Sequence, residues 1–142
     1  MSINNRLKKL YTPLIADILD EKGVTNNVLN QEIKPVLENS IVAGPAFTVK
    51  FSKLKDFPNA VPVDDDWSDT LIDMLESVNK DQVVIVETDN CVECATWGEL
   101  MSHAVKSRGA TGVVTDGAVR DVPEILKINP PFPVWGKDYI PR

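Results

Sequence analysis

The chain has 142 residues, a length that suits one domain (residues 1–142) with one hydrophobic core. Hydrophobic residues make up 43% of it and charged residues 25%, as in ordinary globular proteins. The 15 Lys and Arg residues against 21 Asp and Glu residues leave a net charge of −6, and no basic run offsets it, which excludes nucleic acid as a partner.

The first segment, Met1–Lys9, is polar and lacks the apolar stretch of a signal peptide. No apolar run approaches the ~20 residues that are needed to span a bilayer. The sequence therefore predicts a cytoplasmic protein with no membrane partner.

The first predicted element is a helix. Thr12 can cap it, Pro13 suits its first turn, and Gly23 can end it. Its apolar residues share one face: Leu14, Ile15, Ile18 and Leu19. Extended chain follows over Ser40–Phe51, because apolar residues alternate with polar ones toward its end.

The middle of the chain predicts a loop, a helix and a strand. Asp64, Asp65 and Asp66 could be metal ligands, but we favour a solvated loop that leads into a helix. Apolar residues recur at helical spacing over Ser68–Asn79. The β-branched run within Gln82–Glu87 indicates a strand that is buried on both faces.

Two cysteines, Cys91 and Cys94, stand three residues apart. A pair with this spacing can form half of a zinc site or act as a redox pair. No second cysteine pair completes a zinc site, and His103 is the sole histidine. A redox pair usually opens a helix, whereas residues 95–97 separate this pair from the next helix signal. We therefore interpret the cysteines as two loop thiols in a reducing cytosol.

The last third alternates helices and strands. The predicted elements are a helix over Gly98–Arg108 ended by Gly109, a strand over Gly112–Thr115, a turn at Asp116-Gly117, a short helical turn within Val119–Leu126 and a last strand over Phe132–Trp135. The apolar face of the helix would comprise Leu100, Met101, Ala104 and Val105. This alternation is typical of an α/β fold.

Two segments of this part could carry chemistry. Gly98-Glu99 opens a helix whose unpaired N–H groups and dipole suit a carboxylate, but on this segment alone we favour an ordinary helix start. Arg120-Asp121 follows a buried strand, with Glu124 three residues on. The planar guanidinium of Arg suits a carboxylate ligand, and the carboxylate of Asp offers a hard oxygen ligand for Mg²⁺ or Mn²⁺. The alternative to a functional site is a solvated turn in which Asp121 caps a helix.

Together the segments resemble a known family. The matching residues are Ala95-Thr96-Trp97-Gly98-Glu99-Leu100, Ala104, Arg108-Gly109, Gly112-Val113-Val114, Asp116-Gly117 and Val119-Arg120-Asp121, with Glu124 after them. The pattern is similar to the 4-hydroxy-4-methyl-2-oxoglutarate aldolase and oxaloacetate decarboxylase family, which also includes the regulator of ribonuclease E activity. Weaker similarity extends over most of the chain.

The resemblance implies a swivelling β/β/α domain of the ribonuclease-regulator type, assembled as a homotrimer or hexamer with sites between subunits. It implies that Asp121 binds Mg²⁺ or Mn²⁺ whose other ligands are largely water molecules. It also implies that Glu124 supports the site without binding the metal directly. Arg120 and the backbone around Gly98, Glu99, Leu100 and Met101 would hold a small 2-oxo acid, with Arg120 and Glu99 as the catalytic side chains. Glu99 would order a water ligand of the metal.

The implied chemistry is cleavage of a C–C bond next to a 2-oxo acid, which leaves the enolate of pyruvate. A metal and Arg120 would stabilise that charge. Aldol cleavage also needs a general base, whereas decarboxylation of oxaloacetate does not. Family members continue beyond the point where this chain stops, so the resemblance implies a chain short of its C-terminal part, in which decarboxylation is the more robust activity.

Two alternatives to a lyase stay open. One is a non-catalytic, protein-binding regulator of an RNA-processing enzyme; the presence of Asp121 favours the enzyme over it, since the regulatory branch tends to lack that residue. The other is an inactive, assembly-forming fragment. His103 is interpreted as a surface residue beside Glu99, and Trp67, Trp97 and Trp135 as core or interface anchors.

Overall fold

A computed structural model describes residues 3–52 and 66–141. Its helices are α1 (Ile3–Leu7), α2 (Thr12–Glu21), α3 (Asp66–Ser77), α4 (Glu99–Ser107) and α5 (Val122–Ile125). Its strands are β1 (Lys34–Pro35), β2 (Ala46–Lys50), β3 (Val83–Glu87), β4 (Ala95–Trp97), β5 (Gly112–Thr115), β6 (Ala118–Val119), β7 (Val134–Gly136) and β8 (Asp138–Tyr139). The predicted α/β class is confirmed.

The larger sheet has the strand order β1-β7-β5-β3-β2. Its pairs β2–β3, β3–β5 and β5–β7 are parallel, and β1 is added antiparallel at the edge. Helices connect the parallel strands, as the right-handed crossovers of such sheets require. All four residues of β5 are buried, as expected of a strand covered on both faces.

The smaller sheet has the order β4-β6-β8, and its strands are also parallel. Each of its strands has only two or three residues. The pairing of β4 with β6 brings Trp97 beside Val119, so the residue that follows each strand lies close to the residue that follows the other. The sheet therefore joins the two segments that the sequence singles out.

The core lies between the larger sheet and the helices. Its fully buried members include Val84, Val113 and Val134 of three adjacent strands, Val105 of α4 and Trp97 of β4. Trp97 is thus a core residue, as predicted. Trp67 lies outside the residues whose side chains are described, as do Asp64 and Asp65 of the acidic loop.

Two details of the predicted helices are wrong. Tyr11 is the residue that precedes the first turn of α2, and Thr12 is already helical, so Thr12 does not cap the helix. Leu100 is 80% exposed, because α4 turns Ser102 and Val105 toward the core instead. In the described part of the chain, no helix combines the length and apolar character needed to cross a bilayer.

Candidate functional site

The site is built around the start of α4. Gly98 precedes the helix in an extended conformation, with φ −160° and ψ −169°. The backbone N–H of Glu99 donates to Oδ2 of Asp121 at 3.4 Å. An aspartate carboxylate therefore already lies where the helix dipole favours negative charge.

Arg120 and Asp121 reach this helix start from the end of β6. The N–H of Arg120 donates to the carbonyl of Trp97 at 2.9 Å, which extends the β4–β6 pairing by one bond. Asp121 then adopts a left-handed conformation, with φ 59° and ψ 31°, which turns the chain into α5. Arg120 Nε lies 3.5 Å from Asp121 Oδ2, and both side chains are about half exposed.

Gly98 allows the two segments to approach each other. A Cβ atom at this position would lie 2.8 Å from Oδ2 of Asp121 and 3.1 Å from Cγ of Arg120. Because the backbone here is extended, any residue could adopt its dihedral angles. A larger residue would therefore have to move the side chains of Asp121 and Arg120, so glycine acts here through space and not through backbone freedom.

A buried hydrogen-bonded chain fixes the position of Gly98. Nε1 of Trp97 donates to Oγ of Ser102 at 2.9 Å, and Oγ of Ser102 donates to the carbonyl of Gly98 at 2.8 Å. Trp97 is 1% exposed and Ser102 is fully buried. These bonds tie the first turn of α4 to the strand that precedes it.

A cavity of about 850 Å³ opens in front of this helix start. Gly98, Arg120 and Asp121 line it, and further polar residues of the lining are Lys50, Ser52, Thr70, Thr88 and Thr96. Apolar side chains make up most of the remaining wall: Val49, Phe51, Leu71, Met74, Leu100 and Met101. Such a wall with a few convergent polar groups is typical of a small-molecule site.

The other predicted site residues lie at the margins of this arrangement. The Glu99 carboxylate is 3.6 Å from Nε2 of His103, and both side chains are partly exposed, in agreement with the predicted surface histidine. The Glu124 carboxylate is 2.7 Å from Nζ of Lys127, while its backbone N–H donates to the carbonyl of Asp121. The structure therefore links Glu124 to the site through its backbone.

The loop that follows β3 lines part of the cavity and is held by contacts that were not predicted. Asp116 accepts hydrogen bonds from the N–H and the hydroxyl of Thr88, at 2.6 and 2.8 Å, and from the N–H of Asn90 at 3.0 Å. Thr88 and Asp116 follow the adjacent parallel strands β3 and β5. Because such strands end at the same edge of a sheet, their order along the chain could have indicated this contact.

The donor set limits how a metal ion could be held. Across residues 3–52 and 66–141, no three His, Cys, Asp or Glu side chains converge on one point. Asp121 supplies a single carboxylate to the cavity. Mg²⁺ keeps several water ligands and binds proteins through one or two carboxylates, so this donor fits a hydrated Mg²⁺ or Mn²⁺ but not a closed protein cage.

Lys50 also lines the cavity. Its Nζ lies 3.0 Å from the Glu87 carboxylate, and this hydrogen bond raises the pKa of Lys50 above its ordinary value. The amine therefore stays protonated at neutral pH and is paired with Glu87.

Comparison with known proteins places this geometry in context. The family model described as "RraA-like: Aldolase/RraA" matches residues 12–142. A protein of Methanocaldococcus jannaschii is 38% identical over 111 residues, which are 78% of this chain and 47% of that protein. A protein of Halalkalibacterium halodurans, named as a 4-hydroxy-4-methyl-2-oxoglutarate aldolase, is 32% identical over 130 residues, 92% of this chain and 53% of its own length.

A solved structure shares the fold. RraAS2 of Streptomyces coelicolor, described as an unusual member of the RNase ES inhibitor RraA family, superimposes with a TM-score of 0.79 at 22% identity. The match covers 99% of this chain and 65% of that one. The chain also spans about half the length of the two relatives above.

Proposed function

Because the chain belongs to the RraA-like family, which includes aldolases and non-catalytic regulators, we propose that it is a divalent-metal-dependent lyase acting on a small 2-oxo acid. One observation carries the proposal. The carboxylate of Asp121, the guanidinium of Arg120 and the start of α4 line one cavity.

The chain's own groups would bind and orient the substrate. The guanidinium of Arg120 offers a planar pair of donors that suits the carboxylate of a 2-oxo acid. The N–H groups of Leu100 and Met101 lie in the first turn of α4, where helices leave donors without intrahelical partners. The apolar wall that includes Met74 and Met101 would lower the polarity around these groups, which would strengthen the electrostatic contacts.

Asp121 would hold Mg²⁺ or Mn²⁺, which when bound supplies positive charge for the enolate that forms as the C–C bond breaks. Arg120 adds a fixed positive charge beside the same carboxylate. Decarboxylation of oxaloacetate needs no general base, because CO₂ leaves without proton transfer and the enolate then takes a proton from water to give pyruvate. Retro-aldol cleavage of 4-hydroxy-4-methyl-2-oxoglutarate needs in addition a base for the C4 hydroxyl proton.

The test is pyruvate formation from oxaloacetate by the purified chain with Mg²⁺, compared with the same mixture containing EDTA. Asp121→Asn should lower the metal-dependent rate by at least about 100-fold, since it removes the ligand charge. Asn tolerates the left-handed backbone at this position, so the fold is retained.

The chain offers a matched control. Asp81 is also exposed and left-handed, with φ 67°, and it is not among the residues lining the cavity. Asp81→Asn should therefore keep the full rate. No metal-dependent pyruvate formation above the spontaneous rate of the same mixture without protein, or equal rates for the two variants, would contradict the proposal and favour a protein-binding regulator without chemistry.

A further inference from the structure

The loop between β3 and β4 brings the two cysteines together. Asp89 and Asn90 are both left-handed, with φ 57° and 58°, so the chain reverses tightly after β3. The N–H of Cys91 then donates to the carbonyl and the hydroxyl of Thr88, at 3.2 and 3.1 Å. Sγ of Cys91 lies 3.7 Å from Sγ of Cys94.

The two thiols lie in the same environment but differ in their exposure to solvent. Cys91 is 4% exposed, whereas Cys94 is partly exposed. Both line the cavity that also contains Gly98, Arg120 and Asp121. The thiol of Cys91 also donates a hydrogen bond to a carboxylate oxygen of Glu93 at 3.6 Å. A small molecule in the cavity thus meets Cys94 first and Cys91 behind it.

We propose that Cys91 and Cys94 are a dithiol modification site, which closes to an intramolecular disulfide by exchange with a low-molecular-weight disulfide. The thiolate of Cys94 attacks one sulfur of the reagent and expels the first thiol. The thiolate of Cys91 then attacks the sulfur of Cys94 and expels the second. Two protein thiols and one disulfide become one protein disulfide and two small thiols, so atoms and electrons balance.

The geometry permits this closure with small movements. A disulfide bond is about 2.05 Å long, so the sulfur atoms need to approach by roughly 1.7 Å. Thr88, held by Asp116, anchors the Cys91 side of the turn, whereas Cys94 is the partly exposed partner next to β4. The bond would form in the wall of the cavity, which both cysteines line.

The experiment treats the folded chain with glutathione disulfide and follows intact mass and free-thiol content. The wild-type chain should lose two hydrogen atoms and both thiols, and dithiothreitol should restore them. Cys91→Ala should instead accumulate a stable glutathione adduct on Cys94. Cys94→Ser should react on the order of tenfold more slowly than Cys91→Ala, because its remaining thiol is buried.

Mass and thiol content do not depend on lyase activity, so this result stands apart from the proposed function. A wild-type chain that kept both thiols, or that carried stable glutathione adducts instead of an internal bond, would overturn the proposal. Faster reaction of Cys94→Ser than of Cys91→Ala would overturn the assigned order of attack. Thermal unfolding of each variant shows that the comparison is made between folded proteins.

Discussion

The hydroxyl of Ser102 offers a test of how the structure holds the start of α4. It accepts from Nε1 of Trp97 at 2.9 Å and donates to the carbonyl of Gly98 at 2.8 Å, and it is fully buried. Ser102→Ala removes the hydroxyl and leaves the indole N–H of Trp97 buried without its partner. A buried donor that loses its acceptor costs about 1–3 kcal/mol of stability.

The measurement is the midpoint of thermal unfolding followed by circular dichroism. Replacing Ser by Ala also favours a helix by about 0.5 kcal/mol, which works against this loss. For a chain of this size 1 kcal/mol corresponds to about 4 °C, so Ser102→Ala should melt about 2–10 °C below the wild type.

Ser107 is the matched control. It lies on the same helix and donates to the carbonyl of Ala104 at 2.7 Å, but it is exposed. Ser107→Ala gains the same helix preference and leaves no buried donor, so its midpoint should stay within about 2 °C of the wild type. Equal midpoints for Ser102→Ala and Ser107→Ala would refute the argument that this buried bond stabilises the fold.

Two further predictions concern the candidate site. Gly98→Ala should lower kcat/KM for oxaloacetate by about 10- to 100-fold at an unchanged unfolding midpoint. The new Cβ atom would lie 2.8 Å from Oδ2 of Asp121 and would therefore displace that carboxylate. A variant with the wild-type rate would show that the close approach of Gly98 and Asp121 is not needed. Arg120→Lys keeps the charge but loses the planar fork, so KM for oxaloacetate should rise about tenfold; an unchanged KM would exclude Arg120 as the group that binds the substrate carboxylate.

The elements that the sequence predicts correctly are those with a long or continuous pattern. The strands over Val83–Glu87 and Gly112–Thr115 are nearly continuous apolar runs, and both lie in the middle of the larger sheet. Gly23 and Gly109 follow helices with φ 75° and 91°, as expected of glycines that end them.

The smaller sheet could not be predicted in this way. Its strands at Ala95–Trp97, Ala118–Val119 and Asp138–Tyr139 are too short to show a period of two. They are strands because they pair with one another across long stretches of chain, and such pairing is not visible in any local window. On α4 the predicted face is correct for Val105 and Met101 but wrong for Leu100. Ser102, which was not predicted on that face, is buried with its hydroxyl bonded to Trp97 and Gly98.

The candidate site depends on the same long-range pairing. Gly98-Glu99 and Arg120-Asp121 are each unremarkable as local segments, and only the resemblance to a family connects them before the structure does. The β4–β6 pairing then places them within hydrogen-bond distance. The roles of individual side chains stay predictions, as does the trimeric assembly that the resemblance implies.

The residue type at position 121 follows from two separate requirements. The chain must turn left-handed there, with φ 59°, to pass from β6 into α5, and glycine, asparagine and aspartate tolerate that conformation best. The side chain must also be short and negative, since it accepts from the N–H of Glu99 and contacts Arg120. Glycine meets only the first requirement and asparagine lacks the charge. Aspartate alone satisfies both, and for this reason Asp121→Asn separates the charge from the turn.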